Sequence, residues 1–305
     1  MDAIKTPARS GFHYPRRGFL ALVGALLLAL AACQPPTKGP ALWRLADADS
    51  EIWLFGTVHL LPHNITWRTP RINNAFARSD TVVFETDTRG SGRRELETLF
   101  RERGFDRTGP PLSAKLAPPD RERLERIARK LNVDRQILER MRPWFAALKL
   151  SFLYVQSTGQ DPAAGVETIL AGEATRLGKR QAFLETAAQQ VGFLADLPPH
   201  VELQFLSTSL RQIEEEESNL IELDRAWASG DTRRLAELLN GLIEEAGPGV
   251  YRALITDRNR RWTAQIEQML KGRGRIFIAV GAAHLVGRQS VIEQLRADGY
   301  KVEGP

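Results

Sequence analysis

One short phrase occurs twice, each time at the end of a run of apolar residues. Ile52-Trp53-Leu54-Phe55 leads into Gly56-Thr57-Val58-His59, and Ile276-Phe277-Ile278-Ala279-Val280 leads into Gly281-Ala282-Ala283-His284, 225 positions later. Continuous apolar runs of this length are what strands need when a sheet is covered on both faces. A glycine at the strand end permits a sharp turn, which throws the histidine over the edge of the sheet. In open α/β sheets that edge, at the carboxyl ends of the strands, is where ligands bind. The chain has only five histidines, so this duplicated pair is the first pointer to a site.

Two more strand-like runs end on acids. Thr81-Val82-Val83-Phe84 precedes Glu85, and Gln181-Ala182-Phe183-Leu184 precedes Glu185. Helical patterns lie between the runs. Pro70 opens a segment to Arg78, Pro118 one to Leu131, Pro143 one to Tyr154, and Asp161-Pro162 one that Gly178 closes. Further helices are expected over 198–230 and 231–246, after Gly249, and over 290–297. Asp47-Ala48-Asp49-Ser50 between two apolar runs reads as a hairpin turn, so the sheet is expected to be mixed. The fold expected is α/β: a central mixed, mostly parallel β-sheet flanked by helices, with a large, mostly helical insertion over about 93–246. Residues 41–305 are expected to form one domain.

The N-terminus reads as a targeting segment. Arg16-Arg17 precede an apolar run from Phe19 to Ala32, too short to span a bilayer comfortably, and the run closes on Leu30-Ala31-Ala32-Cys33. A charged start, an apolar stretch and small residues before a break describe a secretory signal peptide. Leu-Ala-Ala-Cys is similar to the bacterial lipobox, which implies lipidation and cleavage at Cys33, the only cysteine in the chain. Residues 1–33 are therefore expected to be a lipoprotein signal and 34–40 a proline-stiffened tether. The arginine pair also resembles a twin-arginine export signal, and the two export routes stay open. The expected location is the cell envelope, anchored through Cys33 at the periplasmic face of the outer or inner membrane. Export also explains the charge: the first 33 residues hold a surplus of three positive charges, leaving +2 of the formal +5. No basic stripe with interleaved aromatics remains, so no nucleic-acid partner is expected.

If the four runs lie parallel, His59, Glu85, Glu185 and His284 gather on one edge. Neutral imidazoles with carboxylates suit a divalent transition metal, with His59, His284 and Glu85 as ligands. Such an ion acidifies water and polarises carbonyls, and a free carboxylate can serve as base. The alternatives are structural: histidines held by hydrogen bonds, and acids that begin helices, where the dipole favours them. Glu167, in the first turn of its helix, is open to the same two readings. His63 reads as a loop residue because Pro62 breaks helical spacing. Arg258 and Asn259 fall inside the apolar stripe of Tyr251, Ile255, Trp262, Ile266 and Met269, where polar groups need partners. Arg258 either holds a substrate anion or pairs with a core acid. No Gly-x-Ser-x-Gly and no phosphate-cradling glycine loop occurs.

Taken in order, Gly56-Thr57-Val58-His59, Val-Val-Phe-Glu85-Thr-Asp, Gly165-Val166-Glu167, Phe183-Leu184-Glu185-Thr186, Arg258-Asn259 and Val280-Gly281-Ala282-Ala283-His284-Leu285 resemble the TraB/GumN family over about residues 41–303. That family is related to the Tiki proteins, metal-dependent proteases with two Gly-x-x-His motifs. More distantly, it is similar to erythromycin esterases and haem-binding ChaN-like lipoproteins. The resemblance implies a Tiki/erythromycin-esterase-like fold and a manganese or cobalt ion, with zinc as an alternative. It implies site roles for His59, Glu85, His284, Glu185, Arg258 and Asn259, with a peptide or protein as substrate. A peptide- or pheromone-binding protein without turnover, and a haem- or metal-binding lipoprotein, are the competing expectations.

Overall fold

Hydrophobic strands with no polar face are covered on both sides, and here they fill the centre of the molecule. The computed structural model describes residues 39–215 and 217–305, so the signal segment, Cys33 and most of the tether lie outside the described residues. β1 (Leu42–Ala46) and β2 (Ser50–Thr57) form an antiparallel hairpin. Asp47 tightens its turn by accepting the Asp49 and Ser50 N–H groups on Oδ1, as short acidic side chains do in turns. β3 (Thr81–Phe84), β4 (Arg180–Phe183) and β5 (Gly274–Gly281) join β2 in parallel, and β6 (Val302–Glu303) pairs antiparallel with β1. The order across the sheet is β4-β3-β5-β2-β1-β6. The sheet is thus mixed and mostly parallel in an α/β protein.

The register decides what the strand ends present. β2 and β5 run side by side from Ser50 opposite Gly274 to Thr57 opposite Gly281, so the two Gly-x-x-His turns leave the sheet together, offset by one residue. A Cβ on Gly56 would stand 3.1 Å from the Ala282 Cα, so the first turn packs closely against the second. Beyond β3 and β4 the ladder continues for two residues, with the Leu184 N–H donating to Phe84 O and the Glu185 N–H to Glu85 O. Glu85 and Glu185 are therefore neighbours. β4 differs from the other three parallel strands: it is the sheet edge and half-exposed, with Phe183 open to solvent.

Helices follow the sequence pattern with local changes. α1 (Pro70–Arg78) starts from Thr69, whose side chain accepts the Ile72 N–H, with proline at the first helical position. α3 (Pro118–Lys130), the short α4 (Arg135–Leu138) and α5 (Pro143–Ser157) build a second core around Leu124, Ile127, Leu150 and Leu206, while α2 (Gly90–Arg103) packs on a third around Trp144 and Val191. The segment expected as one helix after Asp161 is broken: Pro162–Ala164 make a 3-10 turn, and α6 (Val166–Arg176) begins after Gly165. A Cβ on Gly165 would lie 2.2 Å from the His59 carbonyl oxygen. Only glycine lets α6 begin against the first His turn.

α7 (Ala187–Ala195) starts in a capping box between Thr186 and Gln189. α8 (Pro199–Glu215) and α9 (Glu217–Ser229) occupy the 198–230 stretch, and α10 (Thr232–Glu245) follows. Glu214 of α8 pairs with Arg126 and Arg123 of α3. The helix after Gly249 is continuous in direction but not in winding: α11 (Pro248–Tyr251) passes through a π-helical turn, Arg252–Thr256, into α12 (Asp257–Leu270). α13 (Val291–Ala297) is capped by Ser290. The main core lies around the sheet, where Phe55 stacks on Trp67 and touches Trp227 and Phe277.

Candidate metal centre and cleft

Four parallel strands end on the same side of the sheet, and their ends bring His59, Glu85, Glu185 and His284 to one edge. What each side chain does there depends on helices that arrive from elsewhere. The Val166 N–H donates to Val58 O at 3.0 Å, which docks the start of α6 on the first His turn and swings Glu167 inward. Glu167 then accepts the Thr57 hydroxyl at 2.9 Å and faces His59 Nδ1 at 2.5 Å. Ligand-capable atoms of His59, Glu85 and Glu167 all lie within 4.8 Å of one another. This compact group departs from the set expected from sequence: Glu167 enters it, while His284 stands beside it, with Nε2 4.0 Å from Glu85 Oε1.

His284 is nevertheless oriented. Asn259 donates its Nδ2 to Gln289 O at 2.7 Å, so its Oδ1 faces His284 Nδ1 at 2.6 Å. The amide oxygen accepts only, so Nδ1 carries the proton and Nε2 presents a lone pair. Burial, aided by the Arg258 charge, lowers His284 to about 3, which keeps the ring neutral. A ring nitrogen held by a protein acceptor while the other stays bare is how metal-binding histidines are set.

Arg258 answers the choice left open by the sequence. Its guanidinium meets Glu185 through Nε at 3.0 Å and Nη2 at 2.9 Å, and Glu85 Oε2 through Nη2 at 2.6 Å. The expectation of a substrate-anchoring arginine gives way to pairing with two core acids, because both carboxylates are buried and need a cation. The ring of Trp262 lies under the guanidinium, and its Nε1 donates to Glu185. Glu185 accepts two of these bonds on Oε1 and one on Oε2, and it lies outside the metal-competent group.

Glu85 is different. Burial pushes its carboxyl up, but the Arg258 charge, the two histidines and the Gly281 N–H at 2.7 Å override it and hold it at about 2. Each oxygen accepts one hydrogen bond from these groups and keeps a second lone pair. Glu185, by contrast, is raised by burial despite Arg258. His59 is 62% exposed and is raised to about 9, first by the Glu167 carboxylate and against its own desolvation.

One imidazole and two carboxylates have ligand-capable atoms within 4.8 Å of one another, with a neutral second imidazole adjacent, a donor set of the kind that holds a metal ion. The residues fit a divalent ion. They open into a cleft of about 430 Å³ whose floor includes His59, Glu85, Arg258 and His284. Its walls are mainly apolar, drawn from α5, α7, α9 and α10. Trp227 of α9 pins that wall to the first His turn by donating Nε1 to Gly56 O at 2.8 Å. His63 lies outside the group, in a loop, paired with Asp161 at 2.8 Å.

Sequence reasoning missed two cleft residues. Asp224 and Gln160 meet on its wall, Gln160 Nε2 donating to Asp224 Oδ2 at 3.1 Å. The signal was present: Asp224 interrupts the apolar spacing Leu220, Leu223, Trp227, as Arg258 interrupts its own stripe.

Residues 41–304 match the model of the TraB/PrgY/gumN family. The chain is 21% identical over 257 residues to YbaP of Escherichia coli K12, a protein of uncharacterised function, covering 84% of this chain and 92% of that one. It is 24% identical to the metalloprotease TIKI2 of Danio rerio, covering 82% of this chain but 58% of the relative.

Proposed function

The chain belongs to the TraB/PrgY/gumN family, and from that premise we propose that its cleft is the active site of a metal-dependent hydrolase that cleaves peptide bonds. The observation that carries this reading is the meeting of His59, Glu85 and Glu167 within 4.8 Å at the carboxyl edge of the sheet. The similarity to a relative named as a metalloprotease points the same way. His59, Glu85 and Glu167 would hold the ion, with the bare Nε2 of His284 as a further donor. A divalent ion there supplies Lewis acidity, polarising a peptide carbonyl and acidifying water.

The chain's own groups do the rest. Arg258 keeps Glu85 ionised and fixed, Glu185 holds Arg258, and Asn259 holds the proton of His284 on Nδ1. These three are positioning residues. Glu167 also fixes the ring of His59 at that edge through Nδ1. The apolar walls exclude water from a bound peptide and strengthen each charge on the floor.

The test is the purified full chain, loaded with manganese or cobalt and incubated with unstructured peptides, with new termini read by mass spectrometry. Metal-dependent cleavage that falls at least about 100-fold in His59→Ala and in Glu85→Gln is expected. Peptides that bind and survive intact would replace catalysis with capture. We further propose export and anchoring through Cys33. Labelled palmitate should enter the wild-type chain in bacteria and not the Cys33→Ser variant.

A further inference from the structure

Four carboxylates are buried in the described part of the protein: Glu85, Glu185, Glu202 and Asp224. Glu85 and Glu185 share Arg258, and Glu202 pairs with Arg142. Asp224, only 7% exposed, has no basic partner among the described residues; its sole hydrogen bond comes from the neutral amide of Gln160. Removing a lone carboxylate from water is costly unless a cation or several donors compensate. Among the described residues nothing supplies that here, and Asp224 lines the cleft.

We propose that Asp224 is the specificity carboxylate of the cleft: it receives an ammonium or guanidinium group carried by a peptide whose apolar side chains lie along Leu148, Val155, Leu220, Leu223 and Ile243. The cation is either a lysine or arginine side chain of the peptide or its free amino terminus; both offer the same chemistry.

Two further features of the cleft favour a peptide over a simple amine. Trp144 Nε1 and Gln190 Oε1 are buried with no hydrogen-bond partner among the described residues, and both residues line the cleft. One is a donor and the other an acceptor, and a peptide group brings the complement of each. Burial raises Asp224 to about 6, so at neutral pH it is ionised and its charge is unmet. The peptide identity of the ligand rests on the function proposed above; the preference for a cation does not.

Binding separates the two. Isothermal titration of the full chain, metal-free and manganese-loaded, would use one short apolar peptide amide in four forms: acetylated with a central lysine, arginine or norleucine, and the norleucine form with a free amino terminus. At least one cationic form should bind about tenfold or more tightly than the acetylated norleucine form, the scale of a charge-assisted hydrogen bond. Which forms gain identifies the side chain or the terminus as the cation. Asp224→Asn should bring all four within about twofold, while Asp224→Glu and Gln160→Met keep the preference, because the charge remains. Equal binding by the wild type, no binding of any form, or a preference that survives in Asp224→Asn would overturn the proposal. Preference with no cleavage in the loaded protein would leave it standing and remove the hydrolase.

Discussion

Arg258 illustrates how a single side chain fixes the charge state of a site. Three ionised groups, one cation and two acids, lie together away from water, and removing one partner strands the others. Arg258→Met is expected to lower unfolding stability by about 3–5 kcal/mol in urea titrations. Adding Glu185→Gln should recover part of that loss. Asn259→Ala frees the His284 tautomer, and we expect metal affinity to fall about 10–100-fold in a chelator competition assay; unchanged affinity would exclude His284 as a donor. Asp224 allows a test by pH. Its carboxyl titrates at about 6 when folded, against an ordinary 3.8, so the folded protein binds its proton more tightly. The charged form destabilises the fold, not at all below about 3.8 and fully above about 6. Asp224→Asn should therefore be more stable than wild type above pH 6, and the difference should shrink to nothing as pH falls through that window.

Among elements, the start of α6 matters more than its length. Gly165 is pressed against the His59 carbonyl, so Gly165→Ala must push the helix away and carry Glu167 from His59. We expect a loss of about 1–3 kcal/mol from overpacking, read by thermal melting, together with weaker metal binding than a surface control such as Gly172→Ala, where a Cβ meets nothing. The π-helical turn before Arg258 has a matching role. An extra residue in the turn shifts the helical phase, and it lies immediately before the two polar residues that face the site. Prolines announced the starts of α1, α3, α5 and α8. Neither the break at Gly165 nor the π turn was legible, because both arise from contact with distant segments and not from local propensity.

For the whole molecule, metal binding and folding should be separable. The sheet core around Phe55, Trp227 and Phe277 is built without the site's ligands, so chelator-treated protein should keep its circular dichroism spectrum. Adding manganese or cobalt at 100 times its dissociation constant should stabilise it by about 2.7 kcal/mol, and His59→Ala should abolish that shift. Loss of the fold on chelation would contradict this. The sequence by itself determined which residues stand at the strand ends. Apolar runs, their terminal glycines and the polar residue that follows are local features, and parallel pairing carries them to one edge. Only the tertiary structure decided the partners: Glu167 beside His59, Arg258 between two acids, and Asp224 beside the neutral amide of Gln160. Those distances depend on how helices remote in sequence pack over the strand ends, and the positions of charges relative to one another exist only once that packing is complete.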